Sequence, residues 1–525
     1  MQGTALATHP NRFTHGDKRL EKRFRRENRM GHSGERVNHG IQHSQARKTL
    51  MGVILTAGKG VRAYPSTKYL PKALLEIAGE TLLERNIKLM RDQLDIQEII
   101  IVIGHLGHKI KKYLRDKDFG VHLTFVEQAE QNGIGHALLM VEEHVRNRRF
   151  LVILGDELYI DSNHAKLLDL LDQDFDAILT FKPEKNKTKI SRNFIGHIEN
   201  GRVFSLMEKP ESPKAELMGV GTYLLNDKVF HYIRNTPTSE LRGELEITDA
   251  LSNMARHETV LACLIEGEYI NITSSDDINL ANYVWRDKHF DRYKVSVIIP
   301  AYNEEETIAS VINDLRYHEG VDEVVVVDNN SQDKTSEVAL KAGARVVVEP
   351  KQGYGSALRR GLDEAKGDIM ILTEADGSFR AKDIPKFLEY LKDCDLAIGT
   401  RTTRQMIEQG ANMLPLIRWG NVLFGKLVQI LWSRHECRFT DVGCTYRAIW
   451  KTSYQQIKPL LRASGPEFSV EMMLAVLLCR QRVIEIPVSY YKRVGGESKH
   501  SKNLGGAART ALKMLRTTLK FWFRP

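Results

Sequence analysis

Short apolar runs alternate with longer amphipathic stretches along the chain, and the alternation occurs twice. Between Gly52 and about Trp285, the runs Val53–Ala57, Glu98–Gly104, Phe150–Asp156, Asp176–Phe181 and Val220–Leu225 are separated by helical periodicity such as Leu82–Gln93. The pattern restarts with Val295–Asn303, Glu323–Ser331, Ala344–Pro350, Asp368–Asp376 and Asp395–Arg401. Strands alternating with helices predict a mostly parallel sheet covered on both faces, so the expected fold is α/β, with two tandem Rossmann-like domains. The join, ANYVWRDKHFDRYK at Ala281–Lys294, has neither Gly nor Pro and predicts a stiff helical linker over 286–294.

Composition narrows the class. A chain of 525 residues, 42% hydrophobic and 27% charged, has the length of two or three domains of ordinary globular character. No apolar run approaches the roughly 18 residues of a spanning helix. Five cysteines without a C-x-x-C spacing point to free thiols in a reducing cytoplasm and away from a zinc site. The net charge of +9 is unevenly placed. Residues 1–50 carry 11 Lys and Arg against 4 Asp and Glu, residues 492–525 carry 9 against 1, and the body between them is net acidic. Basic ends on an acidic body favour contact with an anionic surface over a nucleic-acid groove. The leader, 1–50, lacks apolar periodicity and the apolar core of a secretory signal, which predicts a disordered basic tail. An equal alternative places the natural start at Met51.

The candidate chemistry begins where the first strand ends. Val53–Leu55 runs into a glycine loop, Ala57–Gly60, followed by Arg62 and Lys72. Glycine lets backbone N–H groups approach and turn toward phosphate. The spacing fits neither G-x-G-x-x-G nor a P-loop. The stretch Leu55–Lys72 instead resembles the signature of sugar-phosphate nucleotidylyltransferases, and further landmarks of that family follow in order over 51–285. The resemblance implies that Ala57, Gly58 and Gly60 hold the triphosphate, that Arg62 neutralises the departing pyrophosphate, and that Lys72 holds the sugar phosphate. It places Gln128 and Gly133 at the base, Asp156 on Mg²⁺ or Mn²⁺, and Glu208 and Lys209 at the sugar, with RGELEITDAL (Arg242–Leu251) beyond. Where the family carries a second metal-binding Asp, YINITSSDD has Asn271, whose amide oxygen can coordinate but brings no charge.

The second half resembles family 2 inverting glycosyltransferases of the GT-A fold, most closely the polyprenyl-phosphate sugar transferases of the dolichol-phosphate mannose synthase type. The landmarks are VSVIIPAYNEEETI, VVVVDNNSQDKT, GYGSALRRG and DIMILTEADGSF, in that order over 295–502. Acidic groups at the carboxyl ends of parallel strands converge on a crevice fit for a nucleotide diphosphate and its metal. The resemblance implies Pro300, Glu304 and Asp328 around the nucleotide, and Glu374 and Asp376 as metal ligands. It also implies Asp441 and Arg447 on the acceptor side, with Arg493, Ser498 and Lys499 on phosphate. Asp441 is the candidate base if the acceptor is a hydroxyl; a polyprenyl phosphate, already an anion, needs little such help.

At the end of the chain, 503–525 predicts a basic amphipathic helix. Leu504, Ala508, Ala511, Leu515, Leu519 and Trp522 share a face opposite Arg509, Lys513, Arg516, Lys520 and Arg524. Such a helix suits the bilayer interface; the alternative is packing on the domain with a solvated basic face. Together these features predict an enzyme that makes a nucleotide sugar from NTP and sugar 1-phosphate and passes the glycosyl group to a polyprenyl phosphate. Its expected place is the cytoplasmic face of the cell membrane, with homo-oligomerisation open and no nucleic acid as partner. Two alternatives are a first domain that only senses nucleotide sugar, marked by Asn271, and a soluble sugar or protein acceptor.

Overall fold

A computed structural model describes residues 50–523, apart from 65–66, 214, 239–242, 410, 412–414, 433–437 and 495–503. The leader, except Leu50, lies outside the described residues, as do Ser498 and Lys499. The chain divides into two compact units at Ala281/Asn282, within the helix Ser275–Lys288. The last turn of that helix belongs to the second unit. Arg286 Nη2 donates to Asp395 Oδ1 at 2.7 Å, and the guanidinium lies over the Trp450 ring. No helix among the described residues is long and apolar enough to cross a membrane.

The first unit is built on a nine-stranded sheet. Its spatial order is His122–Glu127, Glu98–Ile103, Met51–Leu55, Phe150–Leu154, Leu217–Leu225, Ala177–Pro183, Val260–Leu264, Arg202–Glu208 and Phe194–Glu199. The first four strands run parallel; Leu217–Leu225 is antiparallel to both its neighbours. Alternate side chains feed two cores. Ile54, Ile99 and Ile101 pack with Leu83, Ile87 and Met90 on one face, while Val53, Ile100 and Val102 pack with Leu138, Leu251 and Met254 on the other. The helix Leu82–Leu94 is started by a capping box, in which Thr81 Oγ1 accepts from Glu84 N and Glu84 Oε2 accepts from Thr81 N.

A seven-stranded sheet forms the second unit, in the order Arg345–Val348, Glu323–Asp328, Val295–Ala301, Ile369–Leu372, Arg447–Trp450, Leu396–Thr400 and Val483–Pro487. Only Arg447–Trp450 is antiparallel to its neighbours. All five strands predicted in each half are present, and the parallel strands point their carboxyl ends, with the loops that follow them, toward one side of each sheet.

Candidate active sites

In the first unit, all eleven residues expected from the sequence line one cavity of about 900 Å³: Ala57, Gly58, Gly60, Arg62, Lys72, Gln128, Gly133, Asp156, Glu208, Lys209 and Asn271. Local geometry explains how they arrive there. Gly60 sits at φ +63° and starts the short 3₁₀ turn that presents Arg62, and Thr67 Oγ1 donates to its carbonyl at 2.6 Å. Lys72 Nζ is ion-paired with Asp156 at the end of the neighbouring strand. A two-stranded ribbon pairs Asn271 with Glu157, and Ile272 N donates to Asp156 O at 2.9 Å, so Asn271 is held beside Asp156.

The Oδ1 of Asn271 is buried with no donor facing it. A buried acceptor without a donor carries a desolvation cost that a cation removes. One carboxylate, one uncompensated amide oxygen and an oxygen-only donor set fit Mg²⁺ or Mn²⁺. Among the described residues, no cluster of three or more His, Cys, Asp or Glu forms a metal site on protein ligands alone.

Beneath these groups lies a carboxyl that the sequence reading did not single out. Glu157 accepts from Tyr159 Oη at 2.5 Å, Tyr269 Oη at 2.7 Å and Gly221 N at 3.1 Å. Burial, with Asp156 beside it, pushes its pKa up to about 8, so it keeps its proton at neutral pH. An acidic residue inside an apolar strand was the available signal. The network continues through Thr222 Oγ1, which donates to Tyr159 Oη, to His164, a buried imidazole held down to about 3 by burial.

The residues around Gln128 and Glu208, on two sides of the cavity, are fixed by local contacts. Gln128 Nε2 donates to Gly133 O at 3.2 Å and lies 2.9 Å from His136 Nδ1. Gly133 has φ +100°, and a Cβ there would fall 2.7 Å from the backbone N and O of Leu245. Glu208 Oε2 accepts from Thr248 Oγ1 at 2.9 Å, and its other oxygen pairs with Lys209. Lys189 and Arg192 also line the cavity; they come from the short helix Lys187–Ile190 and the turn after it, which no motif marks.

In the second unit, Glu374 and Asp376 stand together past the end of Ile369–Leu372. Asp376 Oδ1 accepts from Ser378 N at 2.9 Å and Ser378 Oγ at 2.5 Å. Its Oδ2 faces Arg493 Nε at 2.8 Å, and Arg493 Nη2 lies 3.9 Å from Glu374 Oε2. Glu374 accepts from Thr445 Oγ1 at 2.7 Å. Burial and the adjacent Asp376 push the Glu374 carboxyl up to about 7. Two carboxyls this close repel each other when both are ionised, and a cation between them relieves that repulsion. Arg493 stands in for part of that charge, and the donor set fits a divalent ion.

The residues expected at the nucleotide lie on two cross-linked loops. Asp328 ends its strand and accepts from Ser331 N and Ser336 Oγ; Asn303 N donates to Ser331 Oγ, and Gln332 N donates back to Asn303 Oδ1. Pro300 lies opposite Val327 in parallel register, and Glu304 N donates to Thr335 Oγ1.

Two residues expected on the acceptor side are held tightly by their surroundings. Asp441 is fully buried, and Arg401 grips it through N, Nε and Nη2 at 2.8–3.0 Å, with Asn421 Nδ2 at 3.2 Å. With its oxygens engaged by these four donors, the carboxylate orients Arg401. Arg401, absent from the sequence-based expectations, lies over the Tyr490 ring. Arg447 is 1% exposed, and its guanidinium is spent on the carbonyls of Cys444, Ser469 and Val442. It locks the loop that carries Asp441.

Two family models match, and they do so in this order: nucleotidyl transferase over residues 51–288 and glycosyl transferase family 2 over residues 296–448. The chain belongs to both families. Its nucleotidyl transferase half is 30% identical to the UTP–glucose-1-phosphate uridylyltransferase AglF of Haloferax volcanii, over 43% of this chain and 93% of that one. The same half is 32% identical to the bifunctional protein GlmU of Methanocaldococcus jannaschii, over 45% of this chain and 54% of that one. The chain thus spans about half the length of its GlmU relatives. The glycosyl transferase half is 34% identical to an uncharacterised glycosyltransferase of Mycobacterium tuberculosis H37Rv, over 41% of this chain and 92% of that one.

Proposed function

We propose that this two-family transferase makes a nucleotide sugar in its first unit and consumes it in its second. The observation that carries the first step is the convergence of the glycine loop, Arg62, Lys72, Asp156 and Asn271 on one cavity. A sugar 1-phosphate oxygen attacks the α-phosphorus of an NTP, a new P–O bond forms, the bond to the β-phosphate breaks and pyrophosphate leaves. Backbone amides of the Ala57–Gly60 loop and Arg62 take up charge on the triphosphate, and Lys72 positions the incoming phosphate. Asp156 and Asn271 would hold a divalent ion, which would add further charge neutralisation. In the free protein Lys72 and Asp156 form an ion pair that holds both charges in place in the cavity.

For the second step we propose inverting transfer of the glycosyl group to a polyprenyl phosphate at the cytoplasmic face of a membrane. The acceptor oxygen bonds to the anomeric carbon as the bond to the nucleoside diphosphate breaks. The saturated hydrogen bonding of Asp441 supports this acceptor over a hydroxyl, because a phosphate brings no proton that a base must remove. Arg401 and Arg493 are the charges proposed to meet phosphate. The C-terminal helix, Leu504–Trp522, contributes basic residues suited to an anionic leaflet.

Incubating the protein with single sugar 1-phosphates, each NTP and Mg²⁺, and then with polyprenyl phosphate, tests both steps by mass spectrometry. Absence of pyrophosphate from every pairing removes the first step. Asn271→Asp separates enzyme from sensor: an active enzyme gains roughly tenfold in Mg²⁺ affinity with little change in saturated rate, by the weight that ligand charge carries. A sensor gains turnover it lacked.

A further inference from the structure

Two helices of the second unit carry apolar surface that its own core leaves uncovered. The helix Pro415–Leu431 packs inward through Gly425 and Val428, so closely that a Cβ on Gly425 would lie 2.6 Å from Phe439 O. On its opposite side Trp419, Leu423 and Ile430 are 61%, 69% and 72% exposed. At about 100° per residue these three fall within an arc of roughly 40°, and the exposed Lys426 shares the stripe. Large apolar side chains standing together in water at helical spacing mark a contact surface.

The C-terminal helix resolves into three faces where the sequence pattern predicted two. Met514, Thr518 and Phe521 turn toward the domain, whose Phe468–Leu478 helix it packs against. Leu512, Leu519 and Trp522 are 41–57% exposed on a second face, and Phe523 just beyond the helix is 77% exposed. Arg509, Lys513, Arg516 and Lys520 occupy the third. Packing on the domain and offering an apolar face to a bilayer are therefore compatible. The Trp522 ring meets the Trp432 ring edge-on at 5.4 Å, so the C-terminal ends of the two helices adjoin. Neither helix contains Asp or Glu.

We propose that the Pro415–Leu431 helix is a second membrane-contacting element. Its Trp419–Leu423–Ile430 stripe enters the interface of an anionic bilayer alongside the exposed apolar face of the C-terminal helix. Charge selects this occupant over a second copy of the chain: an isologous contact would set Lys426, Arg516 and Lys520 against one another, whereas anionic headgroups neutralise them. The placement also serves the chemistry. Asn421, one turn or less from Trp419 and Leu423, donates to the Asp441 that orients Arg401. A lipid phosphate entering beside this helix arrives next to those charges. The proposal rests on the polyprenyl-phosphate reading, and it identifies the surface through which that acceptor is met.

Flotation of the full chain with phosphatidylcholine vesicles, with and without phosphatidylglycerol, tests it. Binding should require the anionic lipid and weaken with salt. Leu423→Glu together with Ile430→Glu should weaken binding at least about tenfold, or about 1.4 kcal/mol, while pyrophosphate release is unchanged. In the unaltered chain, brominated lipid should quench tryptophan emission, and Trp419→Phe should remove part of that quenching. Undiminished binding by the double variant, or quenching unaltered by Trp419→Phe, overturns the proposal. So does a change of oligomeric state in the double variant without loss of vesicle binding. Transfer to a short, water-soluble polyprenyl phosphate tests the acceptor reading separately: success there with no vesicle binding removes the docking surface alone.

Discussion

Asp441→Asn removes one negative charge and a single oxygen, and the structure indicates how much depends on them. Asp441 is fully buried, accepts three hydrogen bonds from Arg401 and one from Asn421, and is the ion-pair partner of Arg401. The pair raises the affinity of the Arg401 guanidinium for its proton, against a burial that lowers it. With an amide in place of the carboxylate, the largely enclosed Arg401 loses its ion-pair partner and keeps the Tyr490 ring, the Cys444 thiol and the more distant Glu374 carboxyl as neighbours. Breaking a buried pair from one side costs about 3–5 kcal/mol, a large part of the stability of an ordinary domain. All five tryptophans, Trp285, Trp419, Trp432, Trp450 and Trp522, belong to the second unit, so denaturant unfolding followed by tryptophan emission reports that unit alone. The variant should lose about 3–5 kcal/mol there. Replacing both partners by Leu should cost less than either single change, because no unpaired charge is left behind. A loss under about 1 kcal/mol, especially with glycosyl transfer abolished, would refute the argument and return Asp441 to the role of proton acceptor.

Other outcomes follow from the same geometry. Gly133→Ala must adopt φ +100° and push a methyl against the Leu245 backbone, so it should cost about 1–3 kcal/mol and raise the KM for NTP; unaltered KM and stability would argue against a pinned base loop. His164 is neutral in the fold, with a pKa near 3 set by burial among Tyr159, Ser162 and Thr222, against 6.5 when unfolded. The unfolded chain therefore binds the extra proton, and stability present above pH 6.5 is lost as pH falls toward 3, at up to about 1.4 kcal/mol per pH unit. Hydrogen exchange in the first unit should show this slope, and His164→Gln should flatten it. Arg493→Ala leaves Glu374 and Asp376 without their cationic neighbour; glycosyl transfer should fall about 10–100-fold while pyrophosphate release is unaffected, which transfer assays on the purified chain would show.

Local pattern was sufficient for the architecture. Runs such as Val53–Leu55 and Val324–Val327 are apolar because strands of a sheet covered on both faces have no solvent side, and that is visible residue by residue. Ordered motifs likewise singled out residues that the fold gathers: a glycine loop, a lysine and a strand-ending aspartate, far apart in the chain, line one cavity. Half-exposed strands such as Arg202–Glu208 were less legible, since they carry no continuous apolar run and exist through pairing with distant neighbours.

Pairwise contacts between distant residues could not be read in advance. Nothing around Asp441 in the chain announces Arg401, forty positions earlier, which turns a candidate base into an anchor. Arg447 resembles a substrate-binding residue until the carbonyls of Cys444 and Ser469 are found to consume its donors. The division of the last helix into core-facing, apolar and basic faces depends on which turn of Phe468–Leu478 it meets. Composition and order constrain which groups are present and along which strands they arrive. Whether a charge is free for chemistry depends on burial and partners, and those are properties of the folded neighbourhood.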